Sequence, residues 1–265
     1  MSAEHVLDHQ GERPVTHARV RRMANKVPQV TVYFWIIKVL TTGMGETASD
    51  YLAKTLNPVA AVALGGLAFT AALALQFSVR QYVAWIYWTG IVMVSVFGTM
   101  AADVLHVVLG VPYTLSTPFF MIVLATVFAL WYASERTLSI HSIHTRRREF
   151  FYWAAVLATF ALGTAAGDLT ASLGLRYLGS AAVFAAAICV PGLLRRSDTL
   201  GAVTAFWIAY VITRPLGASL ADWMALPHSR GGLALGLGPV TLSWAVAILG
   251  FVTYLAASKR DVQID

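Results

Sequence analysis

The sequence predicts an all-α integral membrane protein with eight transmembrane helices arranged as four helix pairs. Three observations support this prediction. Of the 265 residues, 58% are hydrophobic and only 12% are charged, whereas about a quarter of the residues in a soluble domain carry charge. The apolar residues fall in runs of roughly twenty, the length that a helix needs to cross a bilayer. A motif that recurs four times groups these runs in pairs.

The motif is defined by its first copy, which runs from Trp35 to Asp50. An aromatic residue precedes the Trp, a Gly follows ten residues after it, a small residue fourteen and an Asp fifteen residues after it. Four ungapped copies occur, and each is followed by a second apolar run, so the repeated unit is a helix pair. The copies contain Trp35, Gly45 and Asp50; Trp88, Gly98 and Asp103; Trp153, Gly163 and Asp168; and Trp207, Gly217 and Asp222.

Taken in order, the apolar runs predict spans at about 30–52, 58–78, 83–109, 117–134, 150–174, 178–194, 200–225 and 238–257. Prolines mark most span ends, but Pro215 lies inside the seventh span and should kink or break it. Residues 1–27 are predicted to form a flexible basic cytoplasmic tail, and residues 259–265 a second tail. The transmembrane domain covers 28–258, with repeats at about 28–80, 81–136, 148–196 and 200–258.

The Lys and Arg residues of the loops predict the orientation. With the N-terminus inside, fourteen of them lie on the cytoplasmic side and three outside, which is the asymmetry expected of a membrane protein. Both termini are then cytoplasmic, and all four motif helices run from inside to outside. The repeats are therefore parallel and related by a pseudo-four-fold axis along the membrane normal, with the motif helices at the centre.

Each part of the motif has its own interpretation. The four Trp residues are expected to form an aromatic belt at the inner interface; the alternative is an inner aromatic ring that contacts a cation. The Gly and the small residue four positions later are a spacing that lets helices pack closely in lipid. This packing would bring the adjoining Asp residues close to a shared axis.

The four Asp residues are the candidate site. Acids inside an apolar span are costly and usually functional, and four near one axis cannot all stay ionised without compensation. We therefore predict a cation or proton site made by Asp50, Asp103, Asp168, Asp222 and Glu46. Such hard oxygen ligands favour a divalent metal ion, the single cofactor implied. Accessory ligands are expected among Thr41, Thr42, Thr47, His106 and Thr213.

Two basic residues, Lys38 and Arg214, also fall within spans. Arg214 is expected to pair with one of the Asp residues or with Glu46. Lys38 either extends its amine to the inner interface or serves as a charge partner in the site. The acids outnumber these bases by three, a deficit that a transported cation or exchangeable protons would fill.

The repeated Trp positions resemble a bacterial family of membrane proteins built from four tandem two-helix repeats of unknown function. The resemblance covers about residues 28–258 and is carried by Trp35, Trp88, Trp153 and Trp207. It implies this fold and the bacterial cytoplasmic (inner) membrane, but it supplies no substrate and no catalytic residue.

The favoured function is a transporter or exporter of a small cation, above all a divalent metal ion, exchanged against protons. An organic-cation carrier that uses the aromatic–Trp pairs, and a structural or redox subunit, are the alternatives. No motif of an enzyme occurs, so the chain is not expected to be one. The expected partners are the lipid bilayer, a small cation and protons, and a homo-oligomer is compatible with the pattern. The net charge of +6 lies in loops and tails and does not indicate nucleic-acid binding.

Overall fold

The computed structural model describes residues 25–262. Of the tail predicted for residues 1–27, residues 1–24 lie outside the described residues, as do the last residues, 263–265. Within the described range the chain forms eight long α-helices and no strand. They are α1 Val32–Thr55, α2 Pro58–Ser78, α3 Ala84–Asp103, α4 Tyr113–Glu135, α5 Arg146–Thr170, α6 Arg176–Arg196, α7 Ala202–Ala225 and α8 Leu237–Ser258. Short π-helical segments, Val104–Val108 and Ala171–Leu175, extend α3 and α5.

Local signals set the helix ends. The Thr31 hydroxyl accepts a hydrogen bond from the Phe34 amide at the start of α1, and Asn57 caps α2 just before Pro58, as expected of an N-cap and a first-turn proline. The helix α4 begins at Tyr113, before the predicted start, and therefore encloses Pro118. The helix α7 continues through Pro215, so the predicted break does not occur.

The four motif helices form a closed ring. Helix α1 packs on α3, α3 on α5, α5 on α7, and α7 back on α1. The motif glycines make these contacts, each against the residue seven positions after the Trp of the next repeat. A Cβ atom added to Gly98 would lie 2.7 Å from the Phe160 Cβ, and one added to Gly163 would lie 2.6 Å from the Arg214 Cβ. In the same way Gly45 meets Ser95 of α3, and Gly217 meets Thr42 of α1.

The four motif helices run in the same direction, because the aromatic residues at their starts also meet around the ring, as Phe34 with Trp88 and Tyr152 with Trp207 do. Their Trp residues gather at one end of the ring and their Asp residues at the other, which we call the Trp end and the Asp end. The glycines therefore have the role that their spacing predicted, close packing of neighbouring helices.

The second helix of each repeat lies outside this ring and packs mainly on the motif helix of the following repeat. Helix α2 packs on α3, α4 on α5, and α6 on α7, while α8 closes the circle by packing on α1. Consecutive repeats are thus interlocked. Large apolar side chains on these outer helices, such as Leu67, Ile122 and Leu242, are exposed, as suits contact with lipid.

Six segments of the described chain are long and apolar enough to cross a membrane. One of them, Arg146–Arg196, runs through both α5 and α6. Helix α1 is absent from this group of segments within residues 25–262, because its polar and charged residues lower its hydropathy. Several of those residues, among them Lys38 and Glu46, are buried inside the ring. The protein is therefore a multi-pass membrane protein with internal repeats.

Residues 25–29 cross the Trp end as a strap. The Asn25 side chain donates to the Ile140 carbonyl at 3.1 Å, and the Gln29 amide donates to the Asp261 carbonyl at 2.8 Å. The Lys26 Nζ pairs with Glu149 Oε2 at 2.5 Å. Asn25 and Lys26 are buried, so the bundle begins before residue 28, the boundary predicted from the sequence.

Candidate cation site at the ring axis

The four motif Asp residues lie together at the Asp end. Asp222 is buried, whereas Asp50, Asp103 and Asp168 are partly exposed. The carboxylates of Asp103, Asp168 and Asp222 are each within electrostatic range of Glu46. Asp50 differs from the others because its Oδ2 atom forms an ion pair with Lys54 Nζ at 3.2 Å, on the surface of α1. The ring therefore carries an acidic mouth with Glu46 deeper inside.

One turn further in, the guanidinium of Arg214 occupies the centre of the ring. Arg214 is 0% exposed and Glu46 4%, and Arg214 Nη2 lies 2.7 Å from Glu46 Oε2. The same nitrogen donates to the hydroxyls of Thr99 and, at 2.6 Å, Thr164. Arg214 Nη1 donates to the Thr42 carbonyl at 3.0 Å. One side chain from repeat four is thus held by oxygen atoms of the other three repeats.

Thr99 and Thr164 were not predicted as site residues. Both stand eleven positions after their motif Trp, the position that Glu46 occupies in repeat one and Ala218 in repeat four. An alignment of the four repeats therefore places these threonines at the Glu46 position, but the residue type at that position changes from repeat to repeat. The small side chain of Ala218 is in keeping with the space that the guanidinium of its own repeat requires.

Lys38 lies deeper still, towards the Trp end, and is 0% exposed. Its Nζ atom is 4.1 Å from the centre of the Phe160 ring and 4.2 Å from that of Tyr210. Within residues 25–262 this nitrogen has no hydrogen-bond partner. Of the two alternatives for Lys38, extension of its amine to the inner interface is wrong, because Phe160 and Tyr210 enclose the amine inside the protein.

The motif aromatics fill the Trp end of the ring. Trp88, Trp153 and Trp207 are buried, and Trp35 is partly buried. Each Trp ring packs at a tilt against the aromatic residue that precedes the Trp of an adjacent motif helix. The Tyr87 and Trp153 ring centres, for example, are 5.8 Å apart. The hydroxyls of Tyr87 and Tyr152 are 2.5 Å apart. A lipid-facing belt is therefore the wrong interpretation for these three Trp residues, because protein side chains cover their rings, as Phe128 and Trp131 of α4 do for Trp207.

The predicted accessory threonines bond elsewhere. The Thr41 hydroxyl donates to the Lys38 carbonyl and that of Thr213 to the Tyr210 carbonyl, as helical Thr often does. The Thr42 hydroxyl likewise donates to its own helix, at the Val39 carbonyl. Thr47 accepts a hydrogen bond from the Thr241 hydroxyl of α8 at 2.9 Å.

His106 is occupied at the end of α3. Its Nδ1 atom lies 2.8 Å from the Val111 carbonyl oxygen, and its ring stacks on that of Tyr113 with the centres 3.6 Å apart. Among residues 25–262, no three His, Cys, Asp or Glu side chains are grouped so as to hold a metal ion. The structure therefore does not assemble the predicted ligands into a direct metal site.

The class of protein follows from these features: a multi-pass helical membrane protein whose internal repeats close around a charged axis. A family model described as Repeat of Unknown Function (DUF347) matches four segments, residues 33–82, 86–137, 151–196 and 205–261, each with one motif copy. The chain belongs to this family, and the resemblance found in the sequence is confirmed. No curated protein matched the chain, and no solved structure did.

Proposed function

We propose that this protein is a secondary transporter that moves a small cation across the membrane in exchange for protons. In this proposal the eight helices all cross the bilayer, around a pseudo-four-fold axis along the membrane normal. Both termini lie in the cytoplasm of a bacterium, and the Asp end opens on the outer side of its cytoplasmic membrane. The distribution of Lys and Arg in the loops supports this orientation.

The observation that carries the proposal is the environment of Arg214. A carboxylate, two hydroxyls and a carbonyl surround its guanidinium, and such oxygens are also ligands of hard inorganic cations. The chain thus builds a cation-binding position and fills it with a tethered cation. An ion that enters from the Asp end would compete with Arg214 for Glu46. Because this competition loosens the hold on Arg214, the guanidinium would leave the centre of the ring only when an ion is bound.

The acidic mouth also supports entry of a cation from the Asp end. Carboxylates that line a cleft raise the local concentration of cations. Since the described acids are not grouped tightly enough to hold a bare ion, the transported ion would keep part of its hydration shell. Magnesium behaves in this way, because it dehydrates reluctantly and binds proteins through one or two carboxylates. A hydrated divalent cation is therefore the first substrate to test.

An organic-cation carrier receives less support. Its proposed cage was the set of aromatic–Trp pairs, but those rings pack on one another. The Phe34 and Trp35 centres are 5.2 Å apart, and those of Phe206 and Trp207 also 5.2 Å. Competition by quaternary ammonium compounds would reveal such a carrier.

The test is ion flux into proteoliposomes that contain the purified full chain, with Mg²⁺, Mn²⁺, Ca²⁺ and Na⁺ offered separately. We expect one of these ions to enter as protons leave, and we expect Glu46→Gln to reduce its flux by about tenfold or more, since the ion loses its deepest carboxylate. Asp198→Asn is the matched control, because its carboxylate lies on a loop and is 90% exposed.

Because loss of Glu46 also leaves Arg214 unpaired, elution as a single folded species must accompany the flux measurement. Glu46→Asp serves as a second variant that keeps the charge and should retain part of the flux. The proposal is wrong if the wild-type protein moves none of the four ions, or if folded Glu46→Gln moves them at the wild-type rate.

A further inference from the structure

Lys38 is a buried amine that the Arg214–Glu46 pair does not use. It is 0% exposed, and the faces of two aromatic rings lie against its Nζ atom, at 4.1 and 4.2 Å. Ring faces stabilise an ammonium less than a carboxylate does. A permanent charge in this position would therefore be poorly compensated.

The groups that the neighbouring helices place around Lys38 do not compensate its positive charge. From α7, Arg214 acts on Lys38 as a like charge, and Tyr210 presents its ring. From α5 comes Phe160, which is uncharged. The buried residues of α3 at this level are Ile91, Val94 and Ser95, and those of α8 are Trp244 and Ile248, none of which carries a charge. Glu46, the acid at the centre of the ring, is already paired with Arg214.

The two bases of the axis differ in what they can do. An Arg guanidinium keeps its proton under all physiological conditions, whereas a buried Lys amine can release one. Arg214 is therefore the fixed charge of the axis, and Lys38 is the group whose charge can change. Lys38 lies beyond Arg214 as seen from the Asp end, so a charge that arrives at Glu46 acts on both.

Four tyrosines that are buried or partly buried lie between Lys38 and the Trp end. The Tyr210 ring lies against the amine, and its buried hydroxyl has no hydrogen-bond partner within residues 25–262. The Tyr152 and Tyr87 hydroxyls are 2.5 Å apart. The Tyr87 ring packs against Tyr82, with the centres 5.6 Å apart, and the Tyr82 hydroxyl donates to the Asp261 carboxylate. Tyrosines thus extend from Lys38 to the end of the bundle, with hydrogen bonds between Tyr152 and Tyr87 and between Tyr82 and Asp261.

From this arrangement we infer that Lys38 is the proton-carrying residue of the transporter, an inference that rests on the proposed function. When a cation binds at Glu46, the added positive charge favours breakage of one Nζ–H bond of the Lys38 ammonium. The nitrogen keeps the electron pair as a neutral amine, and the proton leaves past the tyrosines to solvent at the Trp end. Release of the cation lets the amine take up a proton again, so no oxidant or other reactant is required.

The experiment measures ion entry and proton movement in the same proteoliposomes, with a pH-sensitive dye inside them. Lys38→Met keeps the length of the side chain and removes the titratable amine. We expect it to retain exchange of ion for labelled ion across the membrane but to lose proton movement, at least tenfold relative to ion flux. Lys38→Arg, which cannot release its proton, should lose proton movement too. Lys259→Met, at an exposed lysine, is the matched control.

Tyr210→Phe keeps the ring that covers Lys38 and removes the hydroxyl, so it provides a variant in which the amine pocket is retained. We expect it to slow proton movement several-fold and to leave ion-for-ion exchange at the wild-type level. The inference is overturned if folded Lys38→Met moves protons and ions in the wild-type ratio, or if the wild-type protein moves ions with no protons. If the wild-type protein moves no ion, the proposed function fails instead.

Discussion

The motif positions that are identical in all four repeats and the positions that vary have different structural roles. The Gly ten residues after each Trp is the same in all four repeats, and each copy makes the same contact with the next helix. One position further on, the repeats provide Glu46, Thr99, Thr164 and Ala218, and three of these four side chains bind the same guanidinium. Identical residues thus build the ring, and differing residues build its centre.

This contrast provides a basis for ion selectivity in the proposed transporter. Four identical side chains around an axis offer a symmetric environment, as the Asp residues nearly do. A single Glu, two Thr and one Arg on different helices offer one orientation only. Substitutions at the two sets of positions should therefore differ in their effects.

The largest effect should come from the variable layer. Glu46→Gln leaves the buried Arg214 without its charge partner, and breaking such a pair costs about 3–5 kcal/mol. Replacing both, as Glu46→Gln with Arg214→Gln, removes the uncompensated charge and should recover a large part of that loss. Thermal unfolding in detergent measures both variants. If the single and double variants unfold at the same temperature, the pair is not the main stabilising contact of the axis.

The repeated layer should respond less strongly, by overpacking. A Cβ atom at Gly98 would lie 2.7 Å from the Phe160 Cβ, so Gly98→Ala must separate α3 from α5, at a cost of about 1–3 kcal/mol. Gly192→Ala in α6 is the control. No atom lies within 4 Å of the added Cβ there, and Ala stabilises a helix by about 0.5–1 kcal/mol relative to Gly. Equal unfolding temperatures for the two variants would contradict the proposed packing role of the motif glycines.

These two layers also show what the sequence could and could not predict. Helix positions followed from apolar runs and prolines, and the closeness of the motif helices followed from the Gly spacing, because both depend on local pattern. The burial of Trp88 and the position of Lys38 did not follow. Both depend on which face of each helix meets its neighbour. The position of a residue along an apolar run predicts its depth in the membrane, but not the direction in which its side chain points.

The centre of the site was predicted only in part. The Arg214–Glu46 ion pair was among the expected pairings, because so few charges lie within the spans. Thr99 and Thr164 could not be told from ordinary helical threonines until the ring order placed them beside Arg214. The Asp residues, which the repeat made most conspicuous, turn out to lie at the mouth of the ring, one turn away from its centre.

Within the Asp layer, the repeats should be unequal although their residues are identical. Asp222 is buried and within electrostatic range of Glu46, whereas Asp50 is already paired with Lys54. We expect Asp222→Asn to raise the ion concentration needed for half-maximal flux about tenfold, since it weakens the field of the mouth, and Asp50→Asn to raise it less. Flux against ion concentration measures this. Equal shifts for the two variants would mean that the layer acts as a symmetric ring.

The smallest effect is expected where the chain departs from the repeat altogether, in the loop between α2 and α3. The Tyr82 hydroxyl donates to the Asp261 carboxylate, a contact with no counterpart in the motif. Burial, together with the Asp261 carboxylate, raises the pKa of Tyr82. Tyr82→Phe removes this hydrogen bond and should lower the free energy of unfolding by about 1–2 kcal/mol.

The pH dependence of that difference follows from the raised pKa. The folded state holds the Tyr82 proton more tightly than the unfolded state does, so the contribution is complete below the unfolded pKa of about 10 and is lost as the pH rises above it. The gap in unfolding temperature between wild type and Tyr82→Phe should therefore be constant from pH 7 to about 9 and narrow above about 10. Tyr132→Phe, at an exposed tyrosine of α4, should show no gap at neutral pH. A Tyr82→Phe gap that widens in alkali would contradict the hydrogen bond, because it would mean that the ionised phenol is the form that the fold prefers.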